Sequence, residues 1–168
     1  MGPLTRGARS SRAPARGFTL VEILVAVAVI AIASALAVVA WQGDPRVDAA
    51  REARRFAGAL EYAAARAQWR RETLAVAADG NAWRFLRETA PARWSVVADD
   101  DVLDAHALPP PLTIAPSSYA GQPVAPGVRI PLYASGRNEP FAFVVTGGAR
   151  PLVVAADPLN RVSIAPAP

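Results

Sequence analysis

The sequence predicts an α+β fold: a long N-terminal helix, its first part crossing a membrane, packed on a β-rich C-terminal head. Three observations predict it. Residues 23–41 are apolar except for Ser34. Residues 46–71 carry apolar side chains at helical period. From Thr73 onward the pattern shortens to strand-length segments separated by Gly, Pro, Asn and Asp.

The basic leader comes first. Arg6, Arg9, Arg12 and Arg16 lie within the first 17 residues with no acid among them. The whole chain carries +4. Removing those four from the 18 basic residues leaves fourteen arginines against fourteen acids, so the excess charge belongs to the leader. A short basic segment before an apolar run is a targeting feature that stays on the cytoplasmic side.

The apolar run follows. Nineteen residues at about 1.5 Å each cover a bilayer core of about 30 Å. A buried helix of a soluble domain is seldom so long without a polar face. A cleavable secretory signal, with its cut near Ala35-Leu36-Ala37, fits less well. Its apolar region spans about 7–15 residues, and Glu22 would sit inside it. A carboxylate inside a membrane helix is costly and usually has a partner. Trp41 suits the interface at the far end.

Gly43-Asp44-Pro45 interrupts the run. Asp44 can cap a new helix, and Pro45 fits its first turn, where a missing N–H costs nothing. In that helix Ala53, Phe56, Ala57, Leu60, Ala64 and Ala67 form one stripe, with Arg51, Glu52, Arg55, Glu61 and Arg66 mostly elsewhere. The strands expected next are 73–78 and 82–87 around the turn Asp79-Gly80-Asn81, then 94–98. An acidic, proline-rich connection covers 99–111. Further strands are expected at 112–115, 128–134, 141–146, 152–156 and 162–165, with Gly147-Gly148 and Asp157-Pro158 as late turns. The expected boundaries are thus a leader at 1–17, a membrane helix at 18–42, an amphipathic helix at 43–72 and a head at 73–168.

Composition excludes several chemistries. There is no cysteine, and every basic residue is arginine, which removes thiolate ligands, disulfides, a P-loop lysine and a lysine Schiff base. His106 is the single histidine, so neither a zinc site nor a Ser-His-Asp arrangement is expected. Asp99, Asp100, Asp101 and Asp104 lack the alternating oxygens and central glycine of an EF-hand loop and read as a solvated acidic turn. Trp69, Trp83 and Trp94 read as core aromatics of the head, with an assembly interface as the alternative for any of them. No catalytic residue, metal site or cofactor is expected.

Gly17-Phe18-Thr19-Leu20-Val21-Glu22, with the basic leader and apolar helix around it, resembles the N-terminal signature of the type IV pilin superfamily. That superfamily includes the pseudopilins of type II secretion. The resemblance implies that a prepilin peptidase cuts between Gly17 and Phe18 and methylates the new amine on Phe18. It implies further that Glu22 pairs with the amine of a neighbouring subunit in a filament. Both charges are expensive alone in a poorly hydrated place, so only staggers that pair them are favoured. Many members carry a proline within the apolar helix where this chain has Val39.

The head adds to the resemblance. Trp83-Arg84-Phe85, Trp94, Asp99-Asp100-Asp101-Val102-Leu103, Leu108-Pro109, Leu132-Tyr133-Ala134-Ser135-Gly136 and Pro140-Phe141 are similar to the H-type minor pseudopilin domain. What this implies is a type IV pilin-like fold in a single-pass protein of the bacterial inner membrane, with its head in the periplasm. It would assemble near the pseudopilus tip with the major pseudopilin and the I-, J- and K-type minor pseudopilins, for export of folded proteins. Glu22 argues against the K-type subunit itself, which usually lacks it. The alternative is a FimT/FimU-like minor pilin of type IV pili, some of which bind DNA through a C-terminal Gly-Arg-x-Arg element. Here Asn160-Arg161-Val162-Ser163 stands in that place with one arginine, and the neutral head offers little to phosphates. Nucleic acid is therefore not an expected partner.

Overall fold

The computed structural model describes residues 20–41 and 45–168. The chain divides into two units, with the boundary between Gln42 and Gly43. The first contains α1, Leu20–Trp41, 22 residues long with Glu22 in its first turn. Side chains are described for residues 20–34 of α1, a rise of about 22 Å. Among the described residues, no helix is long and apolar enough to cross a membrane. The capping expected of Asp44 lies outside the described residues.

The second unit begins with α2, Pro45–Arg70. It is followed by β1 (Leu74–Asp79), β2 (Ala82–Ala90), β3 (Arg93–Val96), β4 (His106–Ala107), β5 (Thr113–Tyr119), β6 (Gln122–Pro123), β7 (Ile130–Leu132), β8 (Phe141–Thr146), β9 (Leu152–Ala156) and β10 (Val162–Pro166). One sheet runs β3-β2-β1-β7, with β4 pairing on β2. The other runs β10-β9-β8-β5-β6. Every pairing is antiparallel. Antiparallel neighbours need only short connections, which matches the frequent Gly and Pro punctuation.

The two sheets and α2 share one core. The α2 stripe supplies Ala53, Phe56, Leu60, Ala63 and Ala67, and the sheets supply Leu74, Val76, Phe85, Ile130, Leu132, Phe143 and Val154. Alanine dominates the helix side, so the sheets approach closely and Phe56 fills the centre. Its ring meets Trp83 at 5.1 Å and Phe143 edge-on at 5.0 Å. Leu74, Val76 and Ala78 alternate toward this core, while Ala75 and Ala77 point to the opposite face of the sheet.

The expected strands at 141–146 and 152–156 coincide with β8 and β9. Two short strands were not anticipated, β4 and β6. Each has two residues, too few to carry a period, and each exists because a longer strand already in place offers it hydrogen-bonding groups. β5 runs four residues past the expected 112–115, because a register shift between Pro116 and Ser118 keeps it paired with β8 through the proline.

Two turn glycines have a positive φ and close neighbours. Gly147 in the β8–β9 turn has φ +90°, and a Cβ there would lie 2.2 Å from the Pro111 carbonyl oxygen. Gly136 has φ +73°, and a Cβ would meet the Gln68 amide at 2.8 Å.

Candidate functional site

The signature residues come first. Gly17 and Phe18 lie outside the described residues. Glu22 is exposed in the first turn of α1, where a carboxylate also complements the helix N-terminus.

In the head, the richest polar constellation forms where α2 ends. Arg66 is 1 % exposed. One helical position from the apolar stripe, it reaches sideways into three carboxylates. Nε donates to Glu72 Oε1 at 2.9 Å, Nη1 to Asp100 Oδ2 at 2.7 Å and Nη2 to Asp99 Oδ1 at 3.0 Å. Tyr62 OH donates to the same Asp100 oxygen at 2.7 Å, and Arg87 Nη2 to Asp99 Oδ1 at 2.6 Å. Arg87 Nε lies 2.9 Å from Glu72 Oε2 but off the hydrogen-bond axis. The Val102 amide donates to Asp100 Oδ1 at 3.0 Å.

The charges follow from these contacts. Burial works against ionised Arg66, but its bonds to Glu72, Asp99 and Asp100 prevail and hold its proton more tightly than usual. Asp99 is held below the ordinary carboxylate range, first by Arg87 and then by Arg66. Burial would raise Asp100, but Tyr62, the Val102 amide and Arg66 together lower it.

The acidic turn therefore differs from its expected form. Asp100 retains 9 % side-chain exposure and is fully partnered, Asp99 is half-exposed and ion-paired, and Asp101 and Asp104 are exposed. Glu52 and Arg66, expected mostly outside the apolar stripe, are nonetheless not solvated. Both are buried, because the flanks of α2 are covered by the loop from β3 to β4.

Glu52 makes the second polar link. Its Oε2 lies 2.8 Å from His106 Nε2, and the imidazole lies on Trp83 with ring centroids 4.3 Å apart. The histidine thus ties β4 to α2. Among the described residues, no three His, Asp or Glu side chains are grouped to hold a metal ion.

The tryptophans divide three ways. Trp83 is buried, as expected of a core aromatic. Trp94 is half-buried under Arg129, whose guanidinium carbon is 5.7 Å from the ring centre. Trp69 is 78 % exposed, which excludes the core reading for it. Its place in α2 is roughly 160° around the helix from Ala67, Leu60 and Phe56, a direction that neither sheet covers.

The stretch that would carry a DNA element also has a definite geometry. Asn160 takes φ +62°, and its side chain bonds Asn138 and the Gly136 carbonyl. Arg161 is committed to Asp157, with Nε and Nη2 each 2.7 Å from Oδ2.

Comparison with known proteins identifies both ends of the chain. Residues 12–38 match the prokaryotic N-terminal methylation motif. Residues 52–159 match the family of the type II transport protein GspH. No match is found among curated proteins. Among solved structures, the minor pseudopilin EpsH from the type 2 secretion system of Vibrio cholerae is similar at TM-score 0.58. In one structure it is 17% identical, covering 70% of this chain and 94% of that one. A second crystal structure of it gives the same TM-score at 18% identity, covering 73% and 97%. The solution structure of E. coli GspH is 25% identical at TM-score 0.55, covering 75% of this chain and 94% of that one. The chain belongs to the GspH family of type II transport proteins, with the head fold of the minor pseudopilins and a prepilin-type methylation motif before it.

Proposed function

We propose that the chain is a minor pseudopilin subunit of a type II secretion system. It is cut between Gly17 and Phe18, methylated on Phe18 and held in the bacterial inner membrane by residues 18–42, with its head in the periplasm. The observation that carries this is the joint presence, in one chain, of the methylation motif at 12–38 and the GspH domain at 52–159. The motif supplies insertion and filament entry, and the domain supplies a head to stack on other heads near the pseudopilus tip.

The described head supports a structural role. Its polar clusters tie loops and strands to α2: Arg66 is ion-paired with Asp99 and Asp100, and Glu52 is hydrogen-bonded to His106. Arg161 is paired with Asp157, so the stretch that DNA-binding minor pilins use offers no spare cation here.

The test is co-expression with I- and J-type minor pseudopilin heads, followed by pull-down, beside a gel-shift titration with duplex DNA at physiological salt. A head–head complex without a DNA shift is the expected result. Salt-sensitive micromolar DNA binding with no complex would overturn the secretion reading and promote DNA uptake.

A further inference from the structure

The face of the first sheet turned away from α2 carries a groove that the assembly reading does not use. Ala77, Arg84, Leu86, Gly127, Val128 and Arg129 line it, and it measures about 420 Å³. Its floor is apolar. Ala77 is 4% and Leu86 9% exposed. Its walls are cationic, because Arg84 and Arg129 are both exposed.

The register places these groups. Ala77 pairs with Arg84 on β2. On the other side Val76 pairs with Ile130 on β7, so Arg129 falls beside Ala77 one step further along. The two arginines are therefore rooted two strand spacings apart, about 9.6 Å, with an alanine between their roots, and the Arg129 side chain leans across the sheet toward Trp94 on β3.

Neither arginine is ion-paired. Arg66, Arg87 and Arg161 are all ion-paired, whereas no carboxylate pairs with Arg84 or Arg129 among the described residues. Two acids share that face: Glu88 accepts the Ala92 amide at 3.2 Å, and Asp79 lies against Gly127 at one end of the groove without pairing with either arginine. Arg129 lies over Trp94 with its guanidinium carbon 5.7 Å from the ring centre, a cation–π contact that takes up none of its N–H donors in hydrogen bonds.

We propose that this groove binds an extended acidic segment of a partner protein, with carboxylates at positions i and i+4 and a small apolar residue at i+2. In an extended chain those three side chains share one face and span about 13 Å, which suits two flexible arginines rooted about 9.6 Å apart. The apolar residue covers Ala77. Guanidinium groups meet carboxylates through paired charge-assisted bonds. A polynucleotide is a poorer match, because it draws its affinity from a track of many cations, and this groove has two on an apolar floor.

The probe is a fluorescein-labelled peptide with the core Glu-Ser-Val-Ser-Glu, titrated by anisotropy against the full chain in neutral detergent. Its control has both glutamates replaced by lysine. The acidic peptide binds and the lysine peptide does not. Arg84→Glu weakens binding by about tenfold or more, the loss of one charge-assisted pair. Arg84 is exposed and has no polar partner, so this change leaves the fold intact. Arg129→Lys keeps the charge but loses the stacking on Trp94, and weakens binding several-fold. No binding of the acidic peptide, equal binding of the lysine peptide, or an unchanged affinity in Arg84→Glu would overturn the proposal. So would a single-stranded oligonucleotide that binds more tightly than the peptide and is released by Arg84→Glu.

Discussion

Arg66 Nη1 donates to Asp100 Oδ2 across 2.7 Å, joining α2 to a residue 34 positions later in the chain. The guanidinium is nearly inaccessible, and its other nitrogens bind Glu72 and Asp99. One side chain thus fixes the end of the helix, the start of β1 and the loop after β3 against one another. Such an ion cluster is costly to remove one partner at a time, because the remaining charges stay buried.

Arg66→Met is accordingly expected to destabilise the head by about 3 kcal/mol, since Asp100 would be left without its cation and Glu72 would keep only Arg87. Urea unfolding of residues 44–168 followed by circular dichroism measures it. A change within a few tenths of a kcal/mol would mean that the cluster is solvated in solution.

The same cluster sets the acid limit. Asp99 and Asp100 both have folded pKa values below the ordinary 3.9 or so of an aspartate. Their contribution is fully present above that value and is lost as the pH falls below it, through the lowered folded values. Thermal stability should therefore hold to about pH 4 and then fall. Asp99→Asn should make the decline shallower. An identical decline in the variant would place the acid sensitivity elsewhere.

Gly147→Ala tests the close approach of the β8–β9 turn to Pro111. The new Cβ meets a backbone oxygen, which cannot swing aside as a long side chain could, and φ +90° is strained for any L side chain. A loss of about 2–4 kcal/mol is expected, or failure to accumulate folded protein. Wild-type stability would show that the turn shifts at little cost.

Processing gives a mass. The membrane-extracted protein is expected to begin at a methylated Phe18, and intact-mass spectrometry reads it directly. A terminus near Ala37 would mark an ordinary secretory signal instead.

Glu22→Ala should leave insertion and processing intact while reducing crosslinks to other pseudopilins in membrane fractions. The neighbour's amine would lose its partner in a poorly hydrated place. Undiminished crosslinking would show that Glu22 does not set the register.

The sequence by itself determined those features whose physics is local. The apolar residues after Glu22 specify a helix, and the 3.6-residue recurrence through Phe56, Leu60 and Ala67 specifies which side of α2 is buried. The short apolar segments Leu74–Asp79 and Phe141–Thr146, bounded by Gly80-Asn81, Pro140 and Gly147, specify strands, and Gly80 marks the turn between the first two. Residue identity also carried the N-terminal signature, which is a chemical address and needs no fold to be read.

Only the tertiary structure decided which charges are buried and with whom. Fourteen arginines and thirteen acids follow Gly43, and nothing in their spacing says that Arg66 would gather Asp99 and Asp100 while Arg84 and Arg129 stay unpaired. That depends on which loop covers which flank of α2, set by strand pairings between residues far apart. The same is true of His106 on Trp83 and of the exposure of Trp69. Hydrophobic period says that a side chain is apolar and which way it points. Whether another layer lies in that direction is a property of the packed molecule.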